Sequence, residues 1–223
     1  MIKLEHTMTG GWDAAIRGMR NPMNSWDKSD SVFTPHNIGG CILGKNDLGL
    51  MRKLAKLGSD HRKYMRMITV YVNITAPLYW WKEFDTYKVG TVANSCSTMH
   101  KLTSKPIELS DFSIDDCVVS NKRMNISLED LFHTVVGMCE ILRKKSVETG
   151  DKQMWKALIQ LLPCGYNQMR TVMLNYEVLR NMYHARKNHK LDEWREFCKW
   201  IETLPYSELI TGGKENETIS EPD

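Results

Sequence analysis

The chain has 223 residues, 42% of them hydrophobic and 26% charged, with a formal net charge of +3. That length suits one domain with a sizeable core, and the composition is that of an ordinary soluble protein. The small positive balance argues against bulk nucleic-acid binding and fits a modest cationic pocket for an anionic small molecule.

No apolar run approaches the roughly 20 residues that cross a bilayer, and the N-terminal MIKLEHTMTGG has no signal-peptide core. A cytoplasmic protein without membrane association is expected. The six cysteines, at 41, 96, 117, 139, 164 and 198, form no CxxC pair. This argues against a zinc ribbon, a thioredoxin motif or a disulfide framework, and reduced, mostly buried thiols are expected.

Residues 2–7 suit a first strand. WDAAIRGMR then reads as a short helix with Ala15, Ile16 and Met19 on one side, Arg17 and Arg20 three apart, and Asn21-Pro22 as its stop. Residues 24–44 form a long polar, glycine-bearing connection of the kind that is functional or mobile. Asn46 or Asp47 caps the next helix, whose apolar stripe is Leu50, Met51, Leu54 and Leu57 and whose stop is Gly58.

Over 67–75, Ile68, Val70, Val72 and Ile74 alternate with Thr69, Tyr71, Asn73 and Thr75, the pattern of a half-buried strand. Pro77 sits where a helix can begin, because its first position needs no backbone N–H. Strand, turn and helix thus deliver Lys82, Glu83, Tyr87 and Lys88, followed by a hydroxyl-rich loop. Nucleotide sites are often built this way. Trp80 and Trp81 cannot share one helix face, so one ring is expected in the core and the other against a subunit or a planar ligand. Cys96, in NSCSTMH, has His100 nearby. A buried, inert thiol is the ordinary reading, since a reactive thiolate needs an electropositive setting.

Pro106 and a short strand over 107–109 follow. Ser127 and Asp130 resemble a capping box and open a helix carrying Leu128, Leu131, Val135, Met138, Cys139 and Leu142. Arg143, Lys144 and Lys145 fall in its last turn, and Gly150 ends it. Asp151 caps a further helix with Met154, Trp155, Leu158, Ile159 and Leu162, closed by Pro163. A longer helical pattern spans 166–184 and a final one 191–203. Strands early and helices late indicate an α+β fold. Residues 1–211 are expected to form one domain, and 212–223 an acidic, disordered tail. The run Arg186, Lys187, His189, Lys190 is either a solvated helix end or a clamp for phosphate or carboxylate. His184 and His189 lack a third ligand at zinc spacing, so no metal is expected.

Two segments resemble the flavin-dependent thymidylate synthases. The first is APLYWWKEFDTYKVGTVANSCSTMHKL, which follows the family's strand, Ala-Pro helix and Ser/Asn loop without a gap. The second is LLPCGYNQMRTVMLNYEVLRNMYHARKNHKLDEW, similar to the family's Leu-Pro…Asn…Leu-Arg…His helix and the tryptophan after it. His61 matches the histidine before the sheet strand, and Arg17 and Arg20 echo an early Arg-x-x-Arg. The chain departs from the family at Thr86-Tyr87-Lys88, which stands in place of Arg-His-Arg, at Cys96 and Thr98 for a serine and an arginine, and at Glu83 for a glutamine. Lys63 and Arg66 replace a threonine and a glutamate. Lys63, Arg66, Lys88 and Lys101 are alternative cations, without the fork of an arginine.

The resemblance implies an α+β fold with a central, mostly antiparallel sheet flanked by helices. It implies reductive methylation of dUMP to dTMP, with FAD as cofactor, methylenetetrahydrofolate and NADPH as co-substrates, and a homotetramer whose sites form between chains. Arg186 and Cys96 take the catalytic positions. His61, Tyr87, Lys88, Asn94, Asn175, Asn181 and His189 take cofactor positions; Glu83, Thr86, Lys88, Cys96, Thr98 and Arg186 take substrate positions. Asn175 and Asn181, read as six apart on one helix, lie on nearly opposite faces and would serve different groups or subunits. The substitutions leave two alternatives: an enzyme modifying another pyrimidine nucleotide, or a non-catalytic nucleotide-binding protein.

Overall fold

The computed structural model describes residues 2–33, 41–114, 120–121 and 126–213. The expected tail beyond 213, the middle of the 24–44 connection and Cys117 lie outside the described residues. In chain order come β1 (Lys3–Gly10), α1 (Trp12–Arg20), two 3-10 turns (Asn21–Met23 and Trp26–Lys28), β2 (Val32–Phe33), β3 (Cys41–Ile42) and α2 (Lys45–Lys56). A 3-10 turn (Lys63–Arg66) leads to β4 (Thr69–Pro77), α3 (Leu78–Phe84), β5 (Val92–Ser95), α4 (Thr98–Lys101) and a 3-10 turn at Leu109–Asp111. Then follow β6 (Ser120–Asn121), β7 (Ile126–Ser127), α5 (Leu128–Thr149), α6 (Lys152–Leu161), β8 (Asn167–Asn175), α7 (Tyr176–Arg186), α8 (Asp192–Glu202) and α9 (Glu208–Thr211).

The fold is α+β, helices with a mostly antiparallel sheet. The main sheet has the strand order β1-β4-β8-β5. The two short hairpin pairs, β2 with β3 and β6 with β7, are antiparallel.

The largest correction concerns 166–184, expected as one helix. Residues 167–175 are strand β8, and the helix begins only at Tyr176. Burial in β8 follows a period of two, with Gln168, Val172 and Leu174 buried and Met169 and Thr171 exposed. An apolar run of this length does not by itself distinguish strand from helix. A strand late in the sequence therefore lies inside the sheet, and the expected division of early strands from late helices does not hold.

The chain divides into two compact units, the first of Asn73–Thr86 and Ala93–Thr171 with the N-terminal residues, the second of Leu4–Val72, Tyr87–Val92 and the chain from Val172 onward. In the first unit, Leu102, Ile107, Phe112, Val136, Cys139 and Leu158 form a buried cluster. Ser127 caps α5 through the N–H of Asp130, as its position predicts. Gly150, at φ 67, ends α5, and Asp151 accepts from the Gln153 N–H to start α6. Because α5 continues to Thr149, Arg143 to Lys145 precede its last turn. Arg143 instead forks onto Glu140 at 2.6 and 2.7 Å. No strand forms at 107–109, where the Ile107 N–H goes to the Glu140 carboxylate at 2.9 Å. Pro77 is the last residue of β4 and flanks α3 rather than opening it. Both Trp80 and Trp81 are buried, their ring centroids 4.9 Å apart, so neither is left for an outside partner.

In the second unit α1 buries Trp12, Ala15, Ile16 and Met19, the expected face. Gly11, at φ 79, precedes it, and a Cβ there would lie 2.0 Å from the Met67 carbonyl oxygen. Only glycine fits. Helix α2 differs from expectation: it buries Asp47, Met51 and Ala55, while Leu57 is exposed. Its first N–H groups are satisfied by Asp30, which accepts from Asn46 at 2.9 Å and Asp47 at 3.0 Å. Helix α8 buries Trp194, Phe197, Cys198 and Ile201 along one face, as its pattern requires. Among the described cysteines, Cys139 and Cys198 are buried, but Cys96 and Cys164 are exposed. Burial, with Glu202 nearby, pushes the Cys198 thiol up to about 11.

Candidate functional site

Helix α7 ends at Arg186 and a tight turn carries the chain into α8. In that turn the His189 N–H donates to the Arg186 carbonyl at 2.9 Å, and the Leu191 N–H donates to His189 Nδ1 at 3.2 Å. His189 Nδ1 thus serves as an acceptor within the turn. The Arg186 guanidinium lies 4.9 Å over the Trp194 ring and 5.7 Å from the centre of the Tyr87 ring. Its Nε donates to the Tyr87 hydroxyl at 3.0 Å. Tyr87 and His189 approach the same indole edge-on, at 6.1 and 6.3 Å. The two rings touch each other, so the guanidinium rests on the Trp194 ring beside the Tyr87 hydroxyl, where the cation–π contact and the hydrogen bond together limit its orientation.

Tyr87 comes from the segment Tyr87–Val92, which is tied down locally. The Thr91 hydroxyl donates to the Tyr87 carbonyl. Gly90, at φ 79, sits so close to Asn175 that a Cβ would lie 2.7 Å from Asn175 Nδ2. Asn175 is therefore not a mid-helix residue opposite Asn181. It is the N-cap of α7, and its Oδ1 accepts from the Val178 N–H at 2.9 Å. Asn181 and Lys88 are exposed, as is His61 in the turn before the Lys63–Arg66 element. Its neighbour Arg62 makes the buried-side contact, forking onto Glu177 at 3.1 and 2.9 Å. Partial burial, with Arg180 and Lys187 close by, shifts the His184 imidazole below its ordinary range.

The first unit holds the other expected residues. Glu83 is half-buried on α3, and its carbonyl accepts from the exposed Thr86 hydroxyl at 2.7 Å. Asn94 is exposed on β5, and Thr98 opens the short α4. Cys96 presents an exposed thiol on a firmly held backbone, its N–H going to the Met169 carbonyl at 2.9 Å and its own carbonyl accepting from Gln168 Nε2 at 2.8 Å.

Two residues escaped the sequence reading. Arg170 lies 4.1 Å over the Trp81 ring, donates Nε to Gln168 at 3.0 Å and pairs with Asp85 at 2.7 Å. It thus completes a chain from Asp85 through Gln168 to the Cys96 carbonyl. Reading 167–175 with period two would have placed Arg170 beside Gln168. The second is Trp194, present in the resembling segment but given no role. Of the expected residues, Tyr87, Arg186 and His189 are brought together, and the indole of Trp194 is what they share.

Among the described residues no group of His, Cys, Asp or Glu could hold a metal ion, and no helix is long and apolar enough to cross a membrane.

No family model matches the sequence, and no curated protein matches it. Solved structures do. A flavin-dependent thymidylate synthase, ThyX, from Helicobacter pylori, complexed with FAD and dUMP, is 16% identical with a TM-score of 0.65, covering 95% of this chain and 98% of its own. A second structure of ThyX from Helicobacter pylori, with FAD and dUMP, gives 17% identity and a TM-score of 0.63 over 95% and 97% of the two chains. The UMP/dUMP methylase PolB from Streptomyces cacaoi, bound with 5-Br dUMP, gives 12% and 0.61 over 95% and 94%. At such identities the likeness is one of fold, and this chain has the fold of these proteins.

Proposed function

We propose that the protein is an enzyme of pyrimidine-nucleotide metabolism that methylates dUMP to dTMP reductively, using FAD, methylenetetrahydrofolate and NADPH, as a cytoplasmic homotetramer. The observation that carries this reading is the Arg186 guanidinium, held over the Trp194 ring and hydrogen-bonded to the Tyr87 hydroxyl, in a fold shared with proteins that bind dUMP or its bromo analogue.

The donor set of the second unit fits an anionic flavin nucleotide. Lys88 supplies an exposed ammonium and Asn181 an exposed amide, with His189 in the turn that follows α7. In the proposed reaction the flavin supplies hydride and one-carbon transfer, and the protein binds and orients. Arg186 would polarise a pyrimidine carbonyl, a role suited to a pre-oriented donor in a partly dry site. Lys88 and Arg66 are the candidates for phosphate. His61, Tyr87, Asn94 and Asn175 complete the proposed cofactor contacts. Glu83, Thr86, Cys96 and Thr98 complete the proposed nucleotide contacts, with Cys96 as a second catalytic candidate.

The visible absorption spectrum of the purified protein, before and after addition of dUMP, is the test. A flavin spectrum that dUMP perturbs is the expected result; colourless protein that FAD neither binds nor stabilises sinks the reading. A second reading, methylation of a different pyrimidine nucleotide, is favoured by Thr86-Tyr87-Lys88 and by the likeness to a methylase of UMP as well as dUMP. A binding panel in which UMP outcompetes dUMP would select it.

A further inference from the structure

Helix α5 is apolar on two faces. One belongs to the core of the first unit: Val136 and Cys139 are buried, and Phe132, Val135 and Leu142 pack against the same cluster. The other face turns outward. Leu131, Met138 and Ile141 stand 50%, 47% and 48% exposed. At about 3.6 residues per turn they share a stripe with Thr134, on the side of the helix away from that cluster. Single exposed apolar side chains are ordinary, but a stripe of them along about three turns of one helix marks a contact surface.

The two ends of the stripe carry opposite charges. Glu129 and Asp130 are exposed at its N-terminal end, Lys144 and Lys145 at its C-terminal end. Lys144 leans towards Glu140 of its own helix at 3.9 Å, whereas Lys145 makes no ion pair among the described residues. Gly137 lies at the middle. Glycine is unfavourable inside a helix, and the described residues give it no cause here. Beyond its own helix backbone and chain neighbours, a Cβ at 137 would meet nothing within 4 Å.

We propose that this face docks a second copy of the chain, α5 against α5, about a two-fold axis passing between residues 137 and 138. In that antiparallel register Asp130 lies opposite Lys145, Leu131 opposite the aliphatic stem of Lys144, Thr134 opposite Ile141, and Gly137 opposite Met138. Each pairing occurs twice, as an isologous contact requires. The stripe is thus complementary to itself in charge and in size, and Gly137 leaves room for the methionine of the other copy. Parallel helices would instead set Asp130 against Asp130 and Lys145 against Lys145. The seam rests on the homo-oligomer proposed above, not on the nucleotide chemistry, and adds to it the surface that joins two copies.

Sedimentation velocity on the purified full chain decides it. The wild type is expected to be an oligomer, and I141E, which puts a carboxylate into the stripe, to fall to half its mass. G137Q fills the space kept for Met138 but favours the helix, so it is expected to halve the mass with a Tm no lower than wild type. A glycine with a merely structural role would not separate those two readouts, and G137Q keeps the test valid if I141E does not fold. The charges report the register. D130K and K145D are each expected to weaken self-association at least about tenfold, through like charges set face to face. Mixed in equal amounts they are expected to recover it, because both contacts then join opposite charges.

An oligomer whose mass I141E and G137Q leave unchanged overturns the seam alone. Weakening by both charge variants with no recovery on mixing also overturns it, since the antiparallel two-fold is what pairs those residues. A monomeric wild type overturns the seam and the homotetramer together, and if that monomer binds dUMP the nucleotide reading stands without them.

Discussion

Asp47 shows what a single buried charge does in this chain. It is wholly buried and accepts Arg20 Nε at 2.7 Å, the Ser29 hydroxyl at 2.8 Å, the Ser31 hydroxyl at 2.7 Å and two backbone N–H groups at 3.1 Å. Arg20 in turn donates to the carbonyls of Ser25 and Lys28, both at 3.0 Å. The pair therefore fastens the start of the 24–44 connection to α1 and α2. Asp47→Asn leaves the Arg20 charge without its counter-ion, and a loss of about 3–5 kcal/mol is expected in urea denaturation. Burial alone raises the Asp47 carboxyl, but the Ser31, Ser29 and Arg20 hydrogen bonds together hold it below the ordinary range. Its folded pKa is thus lower than its unfolded one. The stabilisation is complete above the unfolded value of about 3.9 and is lost as pH falls through the folded value. Wild-type Tm should fall more steeply with acidification than that of Asp47→Asn. Arg20 was legible as part of an Arg-x-x-Arg echo, but its partner was not. Nothing in sequence spacing ties residue 20 to residue 47, and an aspartate near a helix start reads first as a cap.

The junction of β8 and α7 concentrates what the elements add. Helices with one clear apolar face, α1 and α8, were legible because their 3.6-residue periodicity decides the burial. The segment 166–184 was not, because its leucines, methionines and valines satisfy either period and a strand flows straight into a helix. The structural sign of the change is Asn175, whose side chain caps α7. Asn175→Ala is expected to lose about 1 kcal/mol by chemical denaturation, whereas Asn175→Ser keeps a capping oxygen and should stay near wild type. If Asn175 also holds flavin, Asn175→Ser weakens FAD binding without lowering Tm, and unchanged FAD affinity would leave it a cap only. Gly90→Ala tests the other side of the same contact. A Cβ at φ 79 and 2.7 Å from Asn175 Nδ2 strains both the backbone and the cap. A loss of about 1–3 kcal/mol follows, with weaker packing of the segment that carries Tyr87.

For the molecule as a whole, the sheet order β1-β4-β8-β5 joins strands from both ends of the sequence, and each compact unit carries some of the residues with proposed roles. The resemblance located both segments that carry them. It could not show that Arg186, Tyr87 and His189 share one buried indole, because that convergence depends on the turn between α7 and α8. Ligand linkage tests the consequence on the whole chain. A ligand that binds only the folded protein, present at a hundred times its Kd, stabilises by about 2.7 kcal/mol. For a chain of this size each kcal/mol moves Tm by about 2–4 °C, so saturating FAD should raise it by roughly 5–11 °C. If nucleotide and flavin favour one another, dUMP should add more in the presence of FAD than alone, and FAD more in the presence of dUMP, by the same coupling free energy. Arg186→Lys should shrink the dUMP increment and leave that of FAD, since only the former is assigned to the guanidinium. A variant that loses both increments equally would show that Arg186 maintains the unit rather than recognising the nucleotide.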